Sequence, residues 1–232
     1  MKGINFSTNI NEDIENMNSI QSIIQNNQND SNNNSIFHEQ IFAVIVDSIE
    51  FSYKKNIKIL KNISLHVPKA QIYALLGPNG CGKTTLLNIL LGRLKPTTGC
   101  VHILGRSLTS KRSTKLNHFM GFMPQEIALD TSLTIRETFH YFSLINHVKD
   151  KEFVSEKIKT YLQMLQLKNG NQLVEHLSGG QKRLLSLGVT LIYEPKILLL
   201  DEPTVGVDSI IRDKIWTHLR QICEHNSKFK LF

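Results

Sequence analysis

Nine consecutive residues determine the architecture expected of this chain: Gly77-Pro78-Asn79-Gly80-Cys81-Gly82-Lys83-Thr84-Thr85. They fit the pattern G-x-x-x-x-G-K-[ST] without a mismatch. The apolar residues 71–76 before them predict a short buried strand, and residues 86–94 after them predict a helix that ends before Pro96. A glycine-rich loop between a strand and a helix is the setting in which this pattern binds phosphate.

The residue types in this loop match the chemistry of polyphosphate binding. Backbone N–H groups of a glycine loop can turn inward around phosphate oxygens, and the positive end of the following helix attracts negative charge. Gly77, Gly80 and Gly82 suit positions where a Cβ would clash or where φ is positive. We expect the Lys83 ammonium to contact the β- and γ-phosphates and the Thr84 hydroxyl to ligate Mg²⁺. A chance glycine turn before a helix is the less favoured alternative.

Composition separates residues 1–40 from the rest of the 232-residue chain. This segment contains eleven Asn, together with Ser, Gln and isolated Ile, and has no sustained apolar period. Such a composition predicts disorder. The segment holds one Lys and five acidic residues, so the rest of the chain is more basic than the net charge of +7 indicates. Because the Lys and Arg residues are scattered, we interpret this charge as a solvated surface and expect no nucleic-acid partner.

Two absences bear on the environment of the chain. No apolar run approaches the ~18–20 residues that span a bilayer, and no secretory signal is recognisable at the N-terminus. The chain as given is therefore not expected to cross a membrane. Its three cysteines form no C-x-x-C pair, which favours a reducing compartment.

Periodicity predicts an alternation of strands and helices. Residues 41–46, 49–53 and 57–67 predict an antiparallel sheet with an offset around Leu60. Residues 134–168 predict a mostly helical insert between two strand-containing parts. The remaining expected elements are strands at 100–104, 121–123 and 197–200, and helices at 178–193 and 210–223.

Two further motifs carry chemistry. Residues 197–200 form an apolar strand that ends in Asp201 and Glu202, and the last residue of a parallel strand reaches the edge of the sheet where ligands collect. Asp201 can hold Mg²⁺ through water, and Glu202 can act as a general base toward the attacking water. Residues 177–181 read Leu-Ser-Gly-Gly-Gln, in which Ser178 alone predicts a helix N-cap.

Taken together, these motifs resemble the nucleotide-binding domains of ATP-binding cassette (ABC) proteins, whose signature is LSGGQ. The resemblance runs over residues 41–224 and includes the motif order. It implies an α/β fold: a P-loop NTPase core with a mainly parallel sheet and flanking helices, an N-terminal antiparallel β-subdomain and a helical insert. Residues 1–40 would be an Asn-rich disordered tail, residues 41–232 the ATPase domain, and residues 126–190 approximately its helical signature subdomain.

The resemblance also implies residue roles. In the family, two domains pair head to tail and trap two ATP molecules, so Ser178, Gly179 and Gly180 would contact the γ-phosphate held by the partner's loop. Gln125 would sense Mg²⁺ and the attacking water and connect to a transmembrane domain. Tyr53 has the position of the adenine-stacking aromatic, although an ordinary strand Tyr is an equal alternative.

The expected catalytic residues are Glu202 and Gln125. The expected metal ligands are Thr84, Gln125 and Asp201. The expected nucleotide-binding residues are Tyr53, Gly77, Pro78, Asn79, Gly80, Cys81, Gly82, Lys83, Thr84, Thr85, Ser178, Gly179, Gly180, Gln181 and Asp208, the last at the dimer seam.

The amino-acid sequences of residues 121–129, 134–138 and 203–208 resemble those of eukaryotic G/H-type half-transporters. That resemblance implies an ATPase that drives export of a lipid-like cargo from the cytoplasmic face of a membrane, with the transmembrane domain in cis or in trans. The family's switch histidine follows one more strand, and neither His218 nor His225 fits that position, so we expect a domain that is incomplete at its C-terminus. A soluble ABC-type ATPase and a non-catalytic cassette that only binds ATP are the alternatives.

Overall fold

The computed structural model describes residues 5–7, 41–54, 57–108, 119–167 and 169–225. It divides into two compact units, one formed mainly by Met1–Asn117 and one by His118–Leu231. Each unit is built around buried aliphatic side chains.

The first unit contains a four-stranded antiparallel sheet. Its strands are β2 (Phe42–Lys54), β3 (Ile57–Pro68), β5 (Thr98–Ile103) and β6 (Arg106–Ser107), in the order β3-β2-β5-β6. In β3 the alternate residues Leu65 and Val67 are buried, as the period of two predicts, although Ile57 at the start of the strand is exposed. In β2, by contrast, Phe42, Ala43 and Val44 are buried in succession. The expected offset is also confirmed, because register shifts flank the pair Phe51 and Leu60.

The phosphate-loop strand and helix are shorter than the sequence pattern predicts. Strand β4 (Ala74–Leu76) covers the second half of the expected strand and pairs antiparallel with β1 (Asn5–Ser7). The prediction that this strand is buried is wrong, because Ala74 and Leu76 are exposed. Helix α1 (Lys83–Leu90) ends before residue 94 because Gly92 adopts a φ of +69°, a left-handed conformation that terminates helices. Strand β1 lies in the segment expected to be disordered. Residues 1–4 and 8–40 of that segment lie outside the described residues.

The described residues of the second unit form a parallel strand pair and four α-helices. Strands β7 (Met120–Met123) and β8 (Ile197–Leu200) pair in parallel, with Met120 opposite Ile197 and Met123 opposite Leu200. The helices are α2 (Ile135–Ile145), α3 (Lys151–Met164), α4 (Gly179–Leu191) and α5 (Ser209–His225), with a 3₁₀ turn at Val174–His176.

The helical insert expected at residues 134–168 corresponds to α2 and α3. Helix α4 packs closely on this insert, because a Cβ at Gly188 would lie 2.8 Å from Phe139 Cζ and 2.9 Å from Leu165 Cδ1. Phe139 and Leu165 are fully buried. A glycine in a helix interior costs about 1 kcal/mol relative to alanine, and here it permits this close packing.

The expected parallel sheet is represented within the described ranges by the pair β7 and β8, while the pairings of the first unit are antiparallel. The buried apolar run of β8 explains its parallel pairing, since such strands are covered on both faces. No helix in the described part of the chain has the length and apolar character needed to span a bilayer.

Candidate functional site

The predicted phosphate loop connects β4 directly to the N-terminus of α1. Gly80 and Gly82 have φ values of +78° and +106°, and Gly82 is the N-cap residue. A glycine cap offers no side-chain acceptor, so the N–H groups of the first helical turn keep their capacity to bind an anion. That first turn carries no acidic residue that would repel one.

Lys83 directs its ammonium back onto the loop. Its Nζ donates to the carbonyl oxygens of Gly77 at 2.8 Å and Pro78 at 3.1 Å. The cation is therefore held beside the loop backbone, where a polyphosphate bound to the N–H groups would meet it.

The two left-handed glycines are required for different reasons. A Cβ at Gly82 would lie 2.8 Å from Leu60 Cδ2 and 3.3 Å from Ile59 Cγ2, and Leu60 is fully buried in β3. A Cβ at Gly80 would meet no heavy atom of the described residues within 4 Å. Strand β3 therefore packs against the loop at Gly82 and leaves no space for a side chain. At position 80, glycine is required only for the backbone conformation.

Tyr53 lies beside the phosphate-loop helix. Its hydroxyl is 3.4 Å from Thr85 Oγ1, and its ring packs edge-on against Phe51 with centroids 4.9 Å apart. Tyr53 is 61% exposed, which is unusual for a large aromatic side chain on a strand. This combination of a fixed position and an open surface suits a ring on which a planar base could stack.

The acidic pair follows β8 in the second unit. Asp201 is buried, and its backbone N–H donates to Met123 O at 2.9 Å. Glu202 adopts a φ of +52°, a left-handed conformation that is uncommon for a residue with a side chain. Its carboxylate accepts a hydrogen bond from Gln125, with Nε2 and Oε2 3.0 Å apart. The structure thus brings together the two residues expected to be catalytic.

The signature residues form the N-terminus of α4. Ser178 Oγ accepts from Gln181 N at 3.2 Å, and Gln181 Oε1 accepts from Ser178 N at 2.9 Å. This reciprocal capping box explains why Ser and Gln stand three positions apart at the start of α4. Gly180 lies against another loop, because a Cβ there would be 2.7 Å from the carbonyl oxygen of Gly206.

Gly179, by contrast, has no described heavy atom within 4 Å of the position that a Cβ would take. Asp208 immediately precedes α5, and its Oδ1 accepts a hydrogen bond from Ile210 N at 2.9 Å. Its exposed carboxylate thus has a local structural role in this chain as well as the expected position at a dimer seam.

Arg183 is the residue that the sequence patterns do not single out. It lies on α4, is 5% exposed, and donates to the carbonyl oxygens of Pro124, Gln125, Asp201 and Glu202. The sequence signal that could have revealed Arg183 is its position as a charged residue directly before the mainly apolar residues 184–192. Burial lowers the pKa of Arg183, and the charges of Asp201 and Glu202 oppose that change.

The residues expected to hold Mg²⁺ have suitable chemistry. This ion prefers oxygen ligands, retains several waters and usually takes one or two carboxylates together with substrate phosphates. Thr84 provides an exposed hydroxyl and Asp201 a carboxylate at the end of a strand. The Oε1 atom of Gln125 is the third oxygen, since Nε2 donates to Glu202. Within the described ranges, no three His, Cys, Asp or Glu side chains cluster as a dedicated metal cage.

Comparisons with known proteins identify the family to which this chain belongs. The family described as "ABC transporter" matches residues 60–205. The chain is 37% identical over 177 residues to ABC transporter G family member 23 of Dictyostelium discoideum, covering 76% of this chain and 25% of that protein. It is 36% identical over 184 residues to ATP-binding cassette sub-family A member 6 of Mus musculus, covering 77% of this chain and 11% of that protein. The chain therefore spans a quarter or less of the length of these relatives.

A solved structure shows the same fold. The dimeric post-hydrolysis state of the ATP-binding cassette MJ0796, bound to ADP and Pi, superimposes with a TM-score of 0.70. The alignment is 26% identical in sequence and covers 81% of this chain and 86% of MJ0796. This similarity confirms the predicted α/β fold class, a P-loop NTPase core with an antiparallel β-subdomain and a helical insert. The chain belongs to the ABC transporter family and contains its ATP-binding cassette domain.

Proposed function

We propose that this chain binds MgATP and hydrolyses it to drive transport across a membrane. The observation that carries the proposal is the phosphate loop, in which Gly82 caps α1 and Lys83 Nζ lies 2.8 Å from Gly77 O. A helix N-terminus, inward N–H groups and a cation are the features that bind the β- and γ-phosphates in P-loop proteins.

Hydrolysis requires a base near the attacking water and a group that orients that water. Glu202 is suited to the first role and Gln125 to the second, and their side chains already contact each other. Bound Mg²⁺ would neutralise charge on the transferred phosphate. Thr84, Asp201 and Gln125 each offer an oxygen ligand of the kind that Mg²⁺ prefers.

The exposed N-terminus of α4 supports a dimeric arrangement. Ser178, the N-cap of α4, and Gly179, its first residue, are both exposed, so a second anion could approach this helix end. The MJ0796 cassette is itself dimeric with bound ADP and Pi. We therefore propose that two cassettes pair head to tail, with Ser178, Gly179, Gly180 and Gln181 facing the nucleotide of the partner and Asp208 at the seam.

Helix α2 has a surface suited to a membrane partner. A groove of about 280 Å³ is lined by Ala128, Asp130, Leu133, Thr138, Tyr141 and Phe142. Beside it Leu144 is 71% exposed and Ile145 49% exposed, an apolar surface of the kind that marks interaction sites. We propose that this face contacts a transmembrane domain, in cis or in trans, which would place the cassette at the cytoplasmic face of a membrane.

The finer assignment rests on the relatives. The match to a G family member and the sequence of residues 121–129 support a G/H-type assignment, while similar identity to a sub-family A member supports only the broader ABC transporter family. We propose export of a lipid-like cargo because the G/H-type resemblance implies it. Residues 41–232 would form the ATPase domain, with residues 126–190 approximately its signature subdomain and residues 1–40 a tail.

The test is nucleotide binding and phosphate release by the chain and by Lys83→Ala. Loss of a hydrogen bond from a charged donor is worth about 1.5–3 kcal/mol. The variant should therefore bind a fluorescent ATP analogue roughly ten- to a hundredfold more weakly. Lys61→Ala, which removes an exposed lysine of β3, is the matched control and should bind normally. Equal affinity of Lys83→Ala and the wild type would refute the site, and ATP binding without phosphate release would favour the non-catalytic alternative.

A further inference from the structure

One buried cation connects two segments that carry the expected catalytic residues. The Arg183 guanidinium donates from Nη1 to Pro124 O at 3.1 Å and also to Gln125 O. Its Nε donates to Glu202 O at 3.1 Å, and Nη2 donates to the carbonyls of Asp201 and Glu202. These acceptors lie after β7 and after β8, so Arg183 joins the ends of the two parallel strands.

The geometry requires an arginine. A guanidinium presents five donors in a rigid plane, and such a fork can serve acceptors on two segments at once. A lysine ammonium is a single point with three donors and cannot reach all four carbonyls in the same way. Arg183 is buried, so each carbonyl also supplies part of the solvation that its charge has lost.

The backbone at Glu202 needs this support. Its φ of +52° is a strained conformation for a residue with a Cβ, and such conformations persist where the surrounding structure holds them. Arg183 bonds the carbonyl of this residue through both Nε and Nη2. With the backbone held in this way, the Glu202 carboxylate faces the Gln125 amide.

We propose that Arg183 is a positioning residue, which holds the backbones of Gln125 and Glu202 so that their side chains meet in the geometry used for hydrolysis. The effect of Arg183 on hydrolysis rests on the proposed function, but its effect on the backbones of Gln125 and Glu202 does not. The two parts therefore have separate readouts.

The first readout is amide hydrogen exchange of the full chain, in Arg183→Lys and Arg183→Met. Exchange should accelerate roughly tenfold or more in the segments 124–128 and 201–206, as expected for lost charge-assisted hydrogen bonds. Segments of α2 and α3 should exchange as in the wild type. Arg220→Lys, at an exposed arginine of α5, is the matched control and should leave both segments unchanged.

Unchanged exchange in both segments would overturn the proposal, and so would a uniform acceleration across the second unit, which would indicate general destabilisation. If Arg183→Met does not fold, Arg183→Lys decides alone, because it keeps the charge and most of the volume.

The second readout is ATP turnover. Each Arg183 variant should lower kcat at least tenfold while the affinity for ATP stays within twofold of the wild type, with the lysine variant less impaired than the methionine variant. A fall in affinity with unchanged kcat would contradict positioning. If the wild-type chain releases no phosphate, the proposed function fails, and the exchange experiment still decides the role of Arg183.

Discussion

The side-chain amide of Gln125 donates a hydrogen bond to the carboxylate of Glu202, with Nε2 and Oε2 3.0 Å apart. The two residues are 77 positions apart in the chain and meet because β7 and β8 pair in parallel. The carboxyl ends of parallel strands lie at the same edge of the sheet, so the residues that follow β7 and β8 become neighbours. The residues proposed as the general base and the water-orienting amide are thereby placed in contact.

This pair makes Glu202→Gln the most direct test of the chemistry. The substitution keeps the shape of the side chain but removes its ability to accept a proton, so phosphate release should fall by about 10²–10⁴-fold. ATP affinity should be unchanged, and the ATP-bound dimer should become stable enough to detect by size-exclusion chromatography. Glu156→Gln, on the exposed face of α3, is the control and should retain full turnover. Undiminished turnover in Glu202→Gln would exclude Glu202 as the base.

The contrast between Gly82 and Gly80 predicts two different alanine effects. Both residues have positive φ, so each alanine should cost about 1–2 kcal/mol in backbone strain. Gly82→Ala also forces a Cβ against buried Leu60, which should add roughly 1–3 kcal/mol. Urea unfolding of the two variants measures the difference directly. Equal loss of unfolding free energy in both would show that β3 does not restrict the loop.

A second glycine pair tests the contact between the signature helix and the loop after β8. Gly180→Ala would bring a Cβ to 2.7 Å from Gly206 O and should lower the unfolding free energy by roughly 1–3 kcal/mol. Gly179→Ala meets open space in the described structure and should be neutral or stabilising by up to about 1 kcal/mol, since alanine favours helix. Thermal or urea unfolding distinguishes them, and a more harmful Gly179→Ala would contradict the packing described.

His218 on α5 should make stability depend on pH. Burial, followed by the charge of Lys157, lowers the pKa of His218 below its ordinary value of 6.5, and the ring packs edge-on against Tyr161. The unfolded chain therefore binds a proton more readily than the folded chain. The stability contributed by neutral His218 is fully present above about pH 6.5 and is lost as pH falls through the lower folded pKa.

Urea unfolding at several values between pH 8 and pH 5 checks this expectation. The wild type should lose more unfolding free energy toward acid than His218→Gln, which cannot titrate. Lys157 repels the protonated ring of His218, so Lys157→Met should reduce the acid sensitivity of the unfolding free energy in part. The same substitution also removes the ion pair of Lys157 with Glu194, whose atoms Nζ and Oε1 are 2.6 Å apart. Parallel pH profiles for the wild type and His218→Gln would contradict the shifted pKa.

Several features could be predicted from local patterns because their causes are local. The period of two in residues 57–67 predicts β3, and the Ser178–Gln181 spacing predicts the capped start of α4. The apolar pattern does not predict the end of α1, because the left-handed conformation of Gly92 ends the helix at Leu90, four residues earlier than that pattern indicates.

The sequence by itself determined the family, the expected nucleotide chemistry and the order of the elements, because each motif is contiguous and acts through its own backbone and side chains. Only the tertiary structure decided how Gln125 meets Glu202, why Gly82 cannot carry a Cβ over Leu60, and that Arg183 binds four carbonyls. These relationships join residues far apart in the chain. They depend on strand pairing and side-chain packing, which no short stretch of sequence specifies.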